Sequence, residues 1–143
     1  VTEKSDDQMI DEFLACKRIA VVGASDRKDK WGFKILKYLR ERGHEVFAVN
    51  PGLASIHGTP CYPTLEDIPH EAGATPVDAI DLVVNPRVGY GVAQAAAALK
   101  IPRILAQPGA ESPEIAAYCR KNGVDYVEAC VLVEGRARPI KPS

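Results

Sequence analysis

Residues 19–33, Ile-Ala-Val-Val-Gly-Ala-Ser-Asp-Arg-Lys-Asp-Lys-Trp-Gly-Phe, constrain this chain more than any other stretch. Ile19 to Val22 is an unbroken apolar run rather than an alternating one, the pattern of a parallel strand covered on both faces. It leads directly into a small-residue turn, Gly23-Ala24-Ser25. A loop carrying Arg27, Lys28 and Lys30 follows, and then a helix that begins near Lys30 or Trp31. Strand, tight turn and helix in that order bring main-chain N–H groups and a helix N-terminus to one point, and both attract phosphate.

The rest of the chain supplies a scaffold for that turn. The helix continues over Lys34 to Arg42 with Ile35, Leu36 and Leu39 inward, and Gly43 stops it. A second strand, Glu45 to Val49, ends at Asn50-Pro51-Gly52, which completes a right-handed βαβ unit. Upstream, Met9, Ile10, Phe13 and Leu14 recur at helical spacing and predict a leading helix over residues 5–17, capped by Ser5 or Asp6. Downstream, Leu53 to Val77 reads as a proline-rich loop with one helical turn at Thr64 to Ile68. A third strand (Asp78 to Val84), a helix (Val88 to Lys100), a fourth strand (Arg103 to Ala106), a helix (Pro113 to Asn122) and a last strand (Tyr126 to Leu132) follow. Residues 135–143 read as a basic, proline-containing surface tail. The sum predicts an α/β fold, a single doubly wound, mainly parallel five-stranded sheet with helices on both faces. At 143 residues, 46% of them hydrophobic, the chain suits one domain over 1–143.

Bulk properties narrow the partners. A net charge of −1 argues against a general binder of nucleic acid, so phosphate recognition has to come from a local cluster. No apolar run reaches the length of a membrane span. Val1 to Asp11 is polar and acidic, without the apolar core of a signal peptide, and its lack of an initiator Met implies a processed or trimmed end. Cys16, Cys61, Cys119 and Cys130 are widely spaced with no CxxC pair. That predicts reduced thiols, a cytoplasmic location and no metal site.

Ligands of such sheets bind beyond the carboxyl ends of the strands. Here those ends are Gly23-Ala24-Ser25, Val49-Asn50-Pro51, Val84-Asn85-Pro86, Gln107-Pro108-Gly109 and Cys130. The glycine pattern departs from a dinucleotide fingerprint: Ser25 and Lys28 stand where its second and third glycines would be, and Gly32 comes later. The second strand ends in Asn50 rather than in the carboxylate that would hold the ribose of NAD, which weighs against NAD and leaves NADP open. Three cations beside a helix N-terminus suit a ligand with more than one phosphate. His44, His57 and His70 read as ordinary loop histidines, and no nucleophile–base set can be assembled from the order of residues.

Taken together, Val-Val-Gly-Ala-Ser-Asp-Arg, Lys-Trp-Gly, Val-Asn-Pro, Gln-Pro-Gly-Ala and a late cysteine give a chain that resembles the small stand-alone CoA-binding proteins. Their Rossmann-like fold is shared with the N-terminal domain of the succinyl-CoA synthetase alpha subunit. The likeness runs from about Cys16 to Leu132. It implies that coenzyme A or an acyl-CoA is the ligand, with Gly23, Ala24, Ser25, Asp26, Arg27, Lys30, Trp31 and Gly32 around its phosphates. Asn50, Pro51, Asn85 and Pro86 would flank the nucleotide and pantetheine, and Gln107, Pro108 and Gly109 would line the pocket. The synthetase transfers phosphate through a histidine in a second domain that has no counterpart here. The expectation is therefore CoA binding without catalysis, as a carrier, a sensor or a partner of an acyl-CoA enzyme. An NADP-dependent oxidoreductase and an interaction module with a vestigial crevice are the competing readings. Cys130 reads as an inert thiol, with a mixed disulfide to CoA as the alternative.

Overall fold

The computed structural model describes residues 3–140; positions 1–2 of the polar N-terminus and 141–143 of the expected tail lie outside the described residues. At the centre of the sheet lies β1 (Arg18–Val22). On one side it is followed by β2 (Glu45–Val49), β4 (Thr59–Tyr62) and β3 (Ser55–Ile56), and on the other by β5 (Ala79–Leu82), β6 (Arg103–Ala106) and β7 (Asp125–Glu128). Every pairing is parallel except the β3–β4 hairpin. The chain leaves β1 in one direction to β2 and later returns to its other side at β5, so the strand order reverses beside β1, as the sequence predicts.

Register makes the carboxyl edge even. Val22 lies opposite both Val49 and Leu82, Leu82 opposite Ala106, and Ala106 opposite Glu128. The next residue of each strand still bonds to its neighbour: Gly23 N–H to Val49, Val83 N–H to Val22, Gln107 N–H to Leu82 and Ala129 N–H to Ala106. The strands therefore end at one level, and the segments after them share one rim.

Both faces are apolar because alternate residues of each strand feed opposite cores. Ala20, Val22, Ile80, Leu82, Ile104 and Ala106 pack against α3 (Pro86–Ala98) and α4 (Pro113–Lys121). Ile19, Val21, Ala48, Leu105 and Val127 pack against α1 (Asp6–Leu14), α2 (Trp31–Glu41) and α5 (Val131–Ala137). Ser5 caps α1 by accepting the Gln8 N–H, and Ser112 caps α4 by accepting that of Ile115.

Four expectations are corrected. The sheet has seven strands rather than five. The extra pair lies in the segment read as a proline-rich loop, where two- and four-residue strands are too short for any periodicity and Pro60 occupies a strand position. Their two-residue turn, His57-Gly58, has φ of 48° and 83°, the left-handed pair that matches the twist of a tight hairpin. The last strand ends at Glu128 instead of continuing to Leu132. Val131-Leu132-Val133 instead opens α5, which takes in residues 135–137 of the expected tail. A Cβ on Gly135 would land on the Tyr38 hydroxyl, so α5 lies directly on α2. Arg138 is bound at 2.7 Å to each of Asp7, Asp11 and Glu134. The leading helix ends at Leu14 rather than Lys17.

Leu39 on α2 is fully buried. Leu39→Ala is expected to cost about 2–5 kcal/mol in urea unfolding; a loss under about 1 kcal/mol would contradict this placement of α2.

Candidate functional site

The turn after β1 is built by steric exclusion. Gly23 has φ +101°, and a Cβ there would sit 2.5 Å from the Val83 carbonyl oxygen. A Cβ on Gly32 would land on the Gly23 carbonyl oxygen, so the first turn of α2 is seated against the strand–helix turn. Only hydrogen fits at either position. The glycine at 32 therefore does the close-packing work that a dinucleotide fingerprint assigns to its last glycine, after a longer loop.

That seating leaves donors without acceptors. The N–H groups of Ala24, Ser25 and Asp26 have no acceptor among the described residues. The N-cap of α2 is Lys30, whose side chain makes no capping bond, so the Trp31 and Gly32 N–H groups are also free. Ser25 does not cap the helix: its Oγ accepts the Arg27 N–H at 3.1 Å. Unsatisfied amides, a positive helix end and an exposed lysine together constitute an anion seat.

This seat forms one end of a cavity of about 600 Å³ on the carboxyl rim. Of the residues singled out in the sequence, Gly23, Ala24, Ser25, Lys30, Trp31, Gly32, Asn50, Asn85, Gln107, Pro108 and Gly109 line it. Asp26, Arg27, Pro51 and Pro86 do not. Arg27 and Asp29 form a loose, solvent-exposed pair at 3.8 Å. Lys28 faces a separate groove between α2 and α5. Val84 and Cys130, also named among the strand ends, line the cavity as well, and Ile35, Val83 and Ala110 complete the wall. Val83, which the sequence placed inside the third strand, follows β5 directly because that strand ends at Leu82 rather than at Val84. Trp31 stands at the rim, 60% exposed, with the Lys34 ammonium 4.8 Å from its ring centre.

The polar side chains at the strand ends are braces. Asn50 Nδ2 donates to the Ala24 carbonyl at 2.8 Å, and its Oδ1 accepts the Gly52 N–H at 2.8 Å, tying the β2 end to the β1 turn. Asn85 caps α3, its Oδ1 accepting the Val88 N–H at 3.0 Å, with Pro86 at the first helical position. Gln107 is buried; its Nε2 donates to Asp81 Oδ1 at 2.7 Å and its Oε1 accepts the Val131 N–H at 3.3 Å. Asp81 went unnoticed in the sequence because it sits inside an apolar strand. It is wholly buried in β5, and its Oδ2 has no partner among the described residues. Burial pushes its carboxyl up to about 7, and the Gln107 hydrogen bond pulls the other way. Cys16, Cys61 and Cys119 are buried free thiols, whereas Cys130 is half-buried at the cavity wall. Among the described residues no three His, Cys, Asp or Glu side chains gather as a metal site, and no helix is long and apolar enough to cross a membrane.

Comparison with known proteins is consistent along most of the chain. A family model described as a CoA binding domain matches residues 17–136. A segment of 53 residues, 37% of this chain, is 47% identical to an ADP-forming acetate–CoA ligase from Archaeoglobus fulgidus; it spans 8% of that ligase. The uncharacterized Bacillus subtilis protein YneT is 28% identical over 118 residues, 82% of this chain and 84% of its own length. Among solved structures, a conserved hypothetical protein from Pyrococcus furiosus superposes with a TM-score of 0.75 at 41% identity, over 83% of this chain and 99% of that one.

The buried carboxyl has a thermodynamic consequence. A folded-state value of about 7 against an ordinary 3.8 means the folded protein holds a proton that the unfolded chain releases, so stability falls as pH rises through this window. Asp81→Asn keeps an acceptor for Gln107 and removes the charge. It is expected to be more stable than wild type at pH 8, by on the order of 4 kcal/mol, with the gap closing towards pH 5. Thermal unfolding across pH 5–8 reads this. A gap that does not change with pH would contradict it.

Proposed function

The chain belongs to the CoA-binding domain family, and from that premise we propose that it holds coenzyme A or an acyl-CoA along the carboxyl rim, with the pyrophosphate on the amide seat. The observation that carries this reading is the set of free N–H groups at residues 24, 25, 31 and 32, gathered with Lys30 at one end of the cavity, with that of Asp26 beside them in the loop. A pyrophosphate brings oxygen acceptors and negative charge to donors that the protein leaves open. The exposed Trp31 ring with Lys34 beside it suits an adenine and the separate 3′-phosphate. Val83, Val84 and Ile35 give the remaining wall an apolar character that suits pantetheine and a short acyl chain.

In this reading the protein is a holder of the cofactor. Asn50, Asn85 and Gln107 shape the cavity through the hydrogen bonds they already make, and Asn85 Nδ2 is left to meet the ligand. The ligases to which the chain is similar are acetate–CoA ligases by name. The partner proposed here is accordingly a cytoplasmic enzyme that makes or uses an acyl-CoA.

Calorimetric titration tests the assignment. CoA is expected to bind, dephospho-CoA about tenfold more weakly for want of the 3′-phosphate, and NADPH not at all. Absence of CoA binding at millimolar concentration, or NADPH binding more tightly than CoA, would overturn it. Gly32→Ala is expected to force α2 off the turn, costing about 1–3 kcal/mol of stability and about tenfold in CoA affinity.

A further inference from the structure

We infer that His57, at the tip of the β3–β4 hairpin, is a positioning residue for the anion seat; the inference rests on the reading that this seat meets the phosphates of CoA. His57 is exposed and belongs to neither apolar core, yet it makes two directed contacts. Its Nε2 lies 3.0 Å from the Asp26 carbonyl oxygen. A carbonyl can only accept, so Nε2 carries the proton and donates. Its ring also meets that of Phe33 edge-on, with centroids 5.1 Å apart and planes inclined by 63°. Asp26 is in the loop and Phe33 in the first turn of α2. One side chain thus holds the two parts of the seat together.

The effect on the donors follows from peptide geometry. In a trans peptide the C=O of one residue and the N–H of the next point in opposite directions. Asn50 holds the Ala24 carbonyl at 2.8 Å, which turns the Ser25 N–H away from Asn50. His57 holds the Asp26 carbonyl, which turns the Arg27 N–H towards Ser25 Oγ, where it is received at 3.1 Å. Ser25 Oγ is thereby held in place, and its O–H stays available to donate. The two side chains fix alternate peptide planes of the loop, and the donors are arranged before a ligand arrives. Ordering the loop is then no longer part of the cost of binding.

The backbone at His57 makes a clean test available. Its φ of 48°, followed by Gly58 at 83°, is the conformation that Asn-Gly prefers. His57→Asn therefore preserves or strengthens the hairpin while being too short to reach Asp26; His57→Gly likewise keeps the turn and removes the ring. The first measurement uses the ligand-free protein: ¹⁵N relaxation order parameters of residues 24–27 are expected near 0.85 in the wild type and below about 0.6 in both variants, with melting temperatures equal to or above wild type for His57→Asn. The second compares ligands: both variants are expected to bind CoA about tenfold more weakly and to bind pantetheine, which has no phosphate, as the wild type does. Unchanged order parameters in both variants would overturn the inference, as would unchanged CoA affinity or an equal loss for pantetheine. Loosening of the loop in variants of a wild type that fails to bind CoA would support the brace and sink the cofactor reading.

Discussion

The contact between Gly32 and the Gly23 carbonyl is the constraint from which the rest of the site follows. Where two backbones touch with no side chain between them, a helix can begin immediately over a strand end. Its first N–H groups and those of the preceding turn are then left close together, with no acceptor among the described residues. A capping side chain would have satisfied part of this set; Lys30 at the N-cap does not. The fold leaves these donors open at a place that solvent and ligand can reach, where an anion gains the most from the helix end.

The sheet supplies the second half of the arrangement. Equal strand ends place Gly23, Asn50, Val83 and Gln107 on one rim. Their polar side chains are largely engaged already: Asn50 on the β1 turn, Asn85 on the first turn of its own helix α3, and Gln107 between Asp81 and α5. The cavity is thereby held by hydrogen bonds across the rim as well as by the apolar cores beneath it. Asp81 is the exception to that economy. A carboxyl inside a central strand with one unpartnered oxygen lowers stability at neutral pH, and what it provides in exchange is a fixed orientation for the Gln107 amide.

Much of this was legible in the residues. The apolar run before Gly23, the helical spacing after it and the prolines and glycines behind each later strand are local signals, and they give the βαβ order and the rim. The start of α2 near Trp31 follows from the same pattern, since Gly32 interrupts the cationic loop just where the helix begins. What stayed hidden depends on pairing between distant segments. The β3–β4 hairpin contains only short strands with a proline in one of them, and exists because β4 finds the edge of β2. Val131-Leu132-Val133 has the composition of a strand; in the fold it opens a helix that docks Gly135 on Tyr38 and is followed by the ion pairs of Arg138. Candidate ligand residues were read from their place at strand ends, and that logic found most of the cavity. It could not separate braces from free donors at Asn50 and Gln107, because their partners Ala24, Asp81 and Val131 lie in distant segments.

The central claim is that main-chain N–H groups of the turn and of the first residues of α2 receive the phosphates. A ¹H–¹⁵N titration of the wild-type protein with CoA tests it residue by residue. The account predicts that the largest shifts fall on the amides of Ala24, Ser25, Asp26, Trp31 and Gly32, and that they saturate together. CoA binding that left these five amides unmoved while shifting others would contradict it.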